Sequence, residues 1–130
     1  MALAKVNRLR HWRDFQVSYQ QGRRYSGQFF TLFRLKQFFP KKKTLEPIAP
    51  PPLLPTKLGV SISQKVNKKA VIRNRLKRQI LAGFQTLLPD IVPGWRLVIV
   101  VKPGAVGCNY GDFLRELKQL LIQAEVLNGH

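Results

Sequence analysis

Residues 58–80 read LGVSISQKVNKKAVIRNRLKRQI, and the spacing of apolar residues changes partway through that stretch. Leu58, Val60 and Ile62 alternate with Gly59, Ser61 and Ser63, the period-two pattern of a strand with one apolar and one small, polar face. From Lys68 to Leu88 the spacing becomes helical. Placed on a helix at about 100° per residue, Ile72, Leu76, Ile80, Gly83, Phe84 and Leu87 form one stripe. Asn74, Arg75, Lys77 and Arg78 fan out on the other side, with Arg73 at the border and Leu81 projecting toward the basic side. A strand leading into a basic amphipathic helix therefore organises the middle of the chain.

The segment Lys65 to Arg78 holds seven of the 23 basic residues, and no Asp or Glu occurs between Pro47 and Pro89. These cations have no local i,i+4 acid to neutralise them, so their mutual repulsion costs a few tenths of a kcal/mol per i,i+4 pair. An anionic partner would relieve that cost. Arg forks onto phosphate oxygens and stacks on bases, while Asn reaches a 2′-hydroxyl or a hydrated metal ion. A basic helix face that only solvates the protein usually interleaves acids with its bases, and this one does not.

Beyond this centre, Arg96 to Lys102 (RLVIVVK) is apolar throughout its middle, as a strand covered on both faces should be, and Pro103-Gly104 ends it. Tyr110 to Leu127 places Phe113, Leu117, Leu120, Leu121 and Ala124 at helical spacing, with Asp112 and Glu116 near the start, where the helix dipole favours acids. Before the centre, Leu9 to Gln21 reads as a helix stopped by Gly22, and Gln28 to Lys36 as a strand with Phe29, Thr31 and Phe33 on one face. Residues 39–57 hold six of the nine prolines and read as an irregular loop or linker.

At 130 residues, 45% hydrophobic and 10% aromatic, the chain reads as a single domain, 1–130, able to bury one core. Its net charge of +17 calls for a polyanion. The longest apolar run, Leu97 to Val101, is far short of the ~20 residues of a membrane span, and MALAKVNRLRHWRDF lacks a secretory apolar stretch. A cytoplasmic protein with no membrane partner is expected. A lone cysteine, Cys108, with histidines only at 11 and 130, offers neither a disulfide nor zinc spacing. No catalytic constellation and no small-molecule site is legible, and the six acids are scattered, which argues against a protein-only nuclease.

The order GVSISQKVNKKAVIRNRLKRQI is similar to the signature of the bacterial ribonuclease P protein component family. The shared features are a Gly-initiated strand, a Lys-bearing turn, then a helix with Arg73-Asn74-Arg75 followed by Lys77-Arg78. The resemblance extends to Asn7-Arg8-Leu9-Arg10, Asp14-Phe15, Tyr19 with Gly22, and the strand ending in Lys102-Pro103. It departs at Leu81, where the family commonly has Arg, and in the length of the proline-rich segment.

The resemblance implies an α/β (α+β) single domain: a four-stranded sheet packed by about three helices, with a left-handed β-α-β crossover like the ribosomal protein S5 domain 2-like fold. Sequence reasoning alone would choose the right-handed sense. It implies a subunit of the endoribonuclease ribonuclease P with no catalytic side chain of its own, because the family's RNA performs the hydrolysis with Mg2+. The implied partners are ribonuclease P RNA, one protein per RNA, and precursor tRNA. Lys65, Lys68, Lys69, Arg73, Asn74, Arg75, Lys77 and Arg78 would meet the catalytic RNA, with Asn74 also close to metal. Arg10, Phe15, Tyr19, Phe29 and Phe33 would hold the 5′ leader, the aromatics as stacking platforms, although an aromatic pair at helical spacing is as often core. The alternative reading is a ribosomal or ribosome-assembly protein, which would share charge, size and the lack of catalytic residues.

Overall fold

The computed structural model describes residues 7–9, 12–36 and 55–127. Arg10 and most of the proline-rich segment 39–57 lie outside the described residues. The elements follow the order α1 (Trp12–Gln21), β1 (Arg23–Ser26), β2 (Phe30–Lys36), β3 (Lys57–Ser61), α2 (Ala70–Leu87), β4 (Trp95–Val101) and α3 (Tyr110–Gln123). Short 3-10 turns at Leu88–Asp90 and Pro103–Gly107 follow α2 and β4, each carrying a proline in its first turn.

The strands form one sheet in the order β1-β2-β4-β3. β2 pairs antiparallel with both β1 and β4, whereas β3 and β4 are parallel, Leu58 lying opposite Leu97 and Val60 opposite Ile99. A parallel pair needs a crossover long enough to return the chain to its starting end, and α2 supplies it. The mixed sheet with three helices matches the expected fold class.

Alternation along β4 assigns the two sheet faces. Leu97, Ile99 and Val101 join Leu58, Phe30 and Leu32 in the core beneath α2 and α3. Val98, equally buried, faces the other way together with its strand neighbours Phe33 and Gly59. α1 covers that second face. This double cover explains why β4 reads as an uninterrupted apolar run.

β1 was not legible as a strand, because RRYS has three exposed residues and no apolar alternation. A tertiary contact holds it. Glu116, expected to serve the helix dipole, instead reaches across to the β1–β2 turn and accepts the backbone N–H groups of Gln28, Phe29 and Phe30 at 2.6, 2.7 and 2.8 Å. A Cβ at Gly27 would stand 2.7 Å from the Glu116 carboxyl carbon, so the turn needs glycine there. Lys102 Nζ donates to Ser26 Oγ and to the Gly27 carbonyl from the other side. Gln28 and Phe29 thus belong to the turn and not to the strand. The dipole role falls to Asp112 alone, in a reciprocal capping box with Asn109.

Gly22 stops α1 as expected, but for a different reason: its φ is not positive. Its N–H donates to the Ser18 carbonyl at 2.9 Å, and a Cβ would lie 2.3 Å from that oxygen. Close approach, and not left-handed backbone, requires glycine.

Replacing Glu116 by Gln leaves one of the three N–H donors facing an amide instead of an oxygen. Glu116→Gln is expected to lower the unfolding free energy by about 1–3 kcal/mol, read as a lower urea midpoint with an unchanged m value.

Candidate nucleic-acid interface

α2 presents the two faces read from its sequence. Leu76, Ile80, Gly83, Phe84 and Leu87 are buried and Ile72 is half-buried, while Asn74, Arg75, Lys77 and Arg78 are exposed. Lys65, Lys68 and Lys69 are exposed on the turn leading into the helix, which Val66 anchors in the core. The helix begins without a side-chain cap and without an acid in its first turn. The positive end of its dipole therefore sits among three lysines, a strongly anion-attracting arrangement. Among the described residues the ion pairs are Asp14–Arg96 at 3.5 Å and Asp112–Arg115 at 4.0 Å, so no carboxylate neutralises this group.

Arg73 differs from its neighbours. Its Nη1 donates to the Asn67 and Lys68 carbonyls at 2.8 and 2.9 Å. Lys69 N–H donates to Asn67 Oδ1 at 2.8 Å, closing the same turn. Arg73 thus braces the lysine-bearing loop against α2, a structural task its border position on the helical wheel allows.

Between α1, the outer edge of β3 and α2 runs a groove of about 670 Å³. Phe15, Val60, Val71 and Leu81 give it apolar walls, and Arg8, Asn74, Lys77 and Arg78 give it a polar and basic rim. Gly59 makes room for it: a Cβ there would stand 2.4 Å from Phe15 Cζ and 3.1 Å from Leu9 Cβ. The small, polar face read for this strand is therefore the seat of the Phe15 ring. Val71, 68% exposed, was missed by the sequence reading. Its signal was an apolar residue stranded on the basic side of the wheel.

The aromatic residues do not form one platform. Phe15 lies in the groove beside the α2 cations, while Tyr19, 39% exposed, meets Phe33 edge-on at 5.1 Å on the sheet. Thr31 and Phe33 share the face under α1 as expected. Phe29 does not join them, because its N–H is held by Glu116 and its ring packs against the core on the other side.

The model of the family described as Ribonuclease P matches residues 3–125. The ribonuclease P protein component of Microcystis aeruginosa is 50% identical over 130 residues, covering 100% of both chains. The chain belongs to the ribonuclease P protein family. The corresponding protein of a Picosynechococcus species is 49% identical, again over the full length of both chains. Two solved structures share the fold: the Staphylococcus aureus RNase P protein, with TM-score 0.74, 23% identity and 94% and 98% of the two chains covered, and the Thermotoga maritima protein, with TM-score 0.71, 22% identity and 89% and 96% covered.

Within this ribonuclease P protein, Leu81 stands where the resemblance led us to expect Arg. It is half-buried, packs on the core and forms part of the apolar wall of the groove. Asn74 lines the same groove, where no described lining residue is a carboxylate, and no group of three His, Cys, Asp or Glu that could hold a metal gathers among the described residues. Mg2+ is ordinarily held by one or two carboxylates together with phosphate oxygens. These side chains do not fit a magnesium site of the protein's own.

Arg75→Ala or Lys77→Ala is expected to weaken RNA association and to reduce the slope of log affinity against log salt by about one phosphate contact. Thermal unfolding should be unchanged, since both side chains are exposed. An unfolded variant would contradict the assignment of faces.

Proposed function

We propose that this subunit of ribonuclease P binds the catalytic RNA through the exposed face of α2 and its lysine turn. The 5′ leader of precursor tRNA would lie along α1 and the adjoining sheet. The observation that carries this reading is the acid-free cationic face of α2 bordering an apolar groove that holds an aromatic ring. Phosphates suit the rim, and an unstacked base suits the walls.

The chemistry belongs to the RNA and to the Mg2+ that RNA phosphates hold. The fate of the acids supports this assignment: Asp14 is paired with Arg96, Asp112 caps α3, and Glu116 holds the β1–β2 turn. The polypeptide acts electrostatically. By screening repulsion between two RNAs it lowers the magnesium they need, and by holding the leader it favours precursor over mature tRNA. Recognition of this kind depends on shape and on single-strandedness, with little base readout. One protein per RNA, working in the cytoplasm, completes the proposal. No described helix is long and apolar enough to cross a membrane. A ribosome-assembly role would account for charge and size equally well, but not for membership of this family.

Within the holoenzyme, Tyr19→Ala should reduce affinity for leader-bearing precursor tRNA while leaving mature tRNA unaffected. Loss of one base–aromatic stack is worth about 1–3 kcal/mol, a fall of roughly five-fold or more in filter-binding affinity. Equal losses for both tRNAs would assign Tyr19 to packing against Phe33 instead.

A further inference from the structure

The sheet face away from α1 carries, past the end of α3, a second group of aromatic and basic side chains. The Arg34 guanidinium carbon stands 4.4 Å from the centroid of the Trp95 ring and 5.7 Å from that of Tyr25. Its Nη1 donates to the carbonyl of Ala124, the residue that closes α3, where a cation opposes the negative end of the helix dipole. The guanidinium is therefore held beside both rings. Its Nε is buried and has no hydrogen-bond partner among the described residues.

Strand register extends the group. Arg23 lies directly opposite Arg34, and Lys36 directly opposite Trp95. Directly opposed residues share a face, as do residues two apart on a strand. Arg23, Tyr25, Arg34, Lys36 and Trp95 thus occupy one face at one end of the sheet. Tyr25, Arg34 and Trp95 are half-buried, whereas Arg23 and Lys36 are exposed and, among the described residues, have no carboxylate within 4 Å. Closure of α3 accounts for Arg34. It does not account for two unneutralised cations set beside two partly open rings.

Aromatic faces interleaved with cations suit single-stranded nucleic acid, bases stacking while the backbone follows the charge. Phe33, next to Arg34 on β2, points to the opposite face and meets Tyr19, so the sheet itself separates this group from the α1 side. We propose that this end of the sheet is a second RNA contact. It takes a single-stranded segment of the ribonuclease P RNA, one base against the Trp95 and Tyr25 rings and the flanking phosphates on Arg23 and Lys36. The inference rests on the reading that this RNA is the chain's partner, and it makes the protein a bridge between RNA segments on both sides of its sheet.

The test uses the full-length protein and ribonuclease P RNA. In the double variant Arg23→Gln/Lys36→Gln, loss of two single-strand phosphate contacts should reduce the salt slope of binding by about 1.4. The chain has two tryptophans, so Trp12→Phe leaves Trp95 as the sole emitter, and the RNA should quench its fluorescence. An unchanged slope or an unquenched Trp95 overturns the second contact. Lys77→Ala, measured in parallel, separates the two readings: if it weakens binding while the double variant does not, only this inference falls, and if neither changes binding, the RNA-subunit reading falls with it.

Discussion

Packing of one stripe of α2 against the sheet is the constraint on which the rest of the molecule depends. Leu76, Ile80 and Phe84 are completely enclosed, and burying side chains of that size stabilises by about 1.5–3 kcal/mol each. That apolar anchor lets the opposite side of the helix carry unrelieved positive charge without unfolding. The same helix is the crossover that makes β3 and β4 parallel, so the cationic surface and the sheet topology arise from one element. Once β3 is placed at the outer edge of the sheet, its Gly59 receives Phe15, and the groove between α1 and α2 follows.

Charge is distributed so that almost no acid competes with the anionic partner for the basic side chains. Asp14, Asp112 and Glu116 are each engaged in holding the fold: an ion pair across to β4, a helix cap, and a clamp on a hairpin turn. Arg34 and Arg73 are likewise spent on carbonyl groups of the protein. The remaining cations on α2 and its preceding turn stay exposed, repelling one another until an anion arrives. Such a surface suits an RNA partner and reads little sequence, in keeping with the proposed role.

Periodicity made much of this legible in advance. The stripes of α2 and α3 and the double-sided burial of β4 follow from spacing alone, and the basic face of α2 follows from what the spacing excludes. What escaped depended on particular contacts, near and far in sequence, that spacing does not report. β1 carries no apolar alternation, because Glu116 and pairing with β2 hold it, and the glycine at position 22 is demanded by a carbonyl four residues away. Phe29 looked like a companion of Phe33 by strand parity, yet the clamp on its N–H removes it from the strand. Arg73 is counted among basic residues by any composition argument, but its hydrogen bonds to Asn67 and Lys68 give it a structural task. The aromatic residues proved hardest, since helical spacing places Phe15 and Tyr19 together while the fold sends one to the groove and the other to Phe33.

The central claim, that the polypeptide assists a catalytic RNA and does no chemistry itself, is tested most directly by cleavage of a 5′-extended precursor tRNA at low magnesium. A bacterial ribonuclease P RNA would be assayed with this protein, without it, and against the protein alone. The account predicts that the protein stimulates cleavage only when the RNA is present. Cleavage by the protein alone, or no stimulation despite intact binding to the RNA, would contradict it.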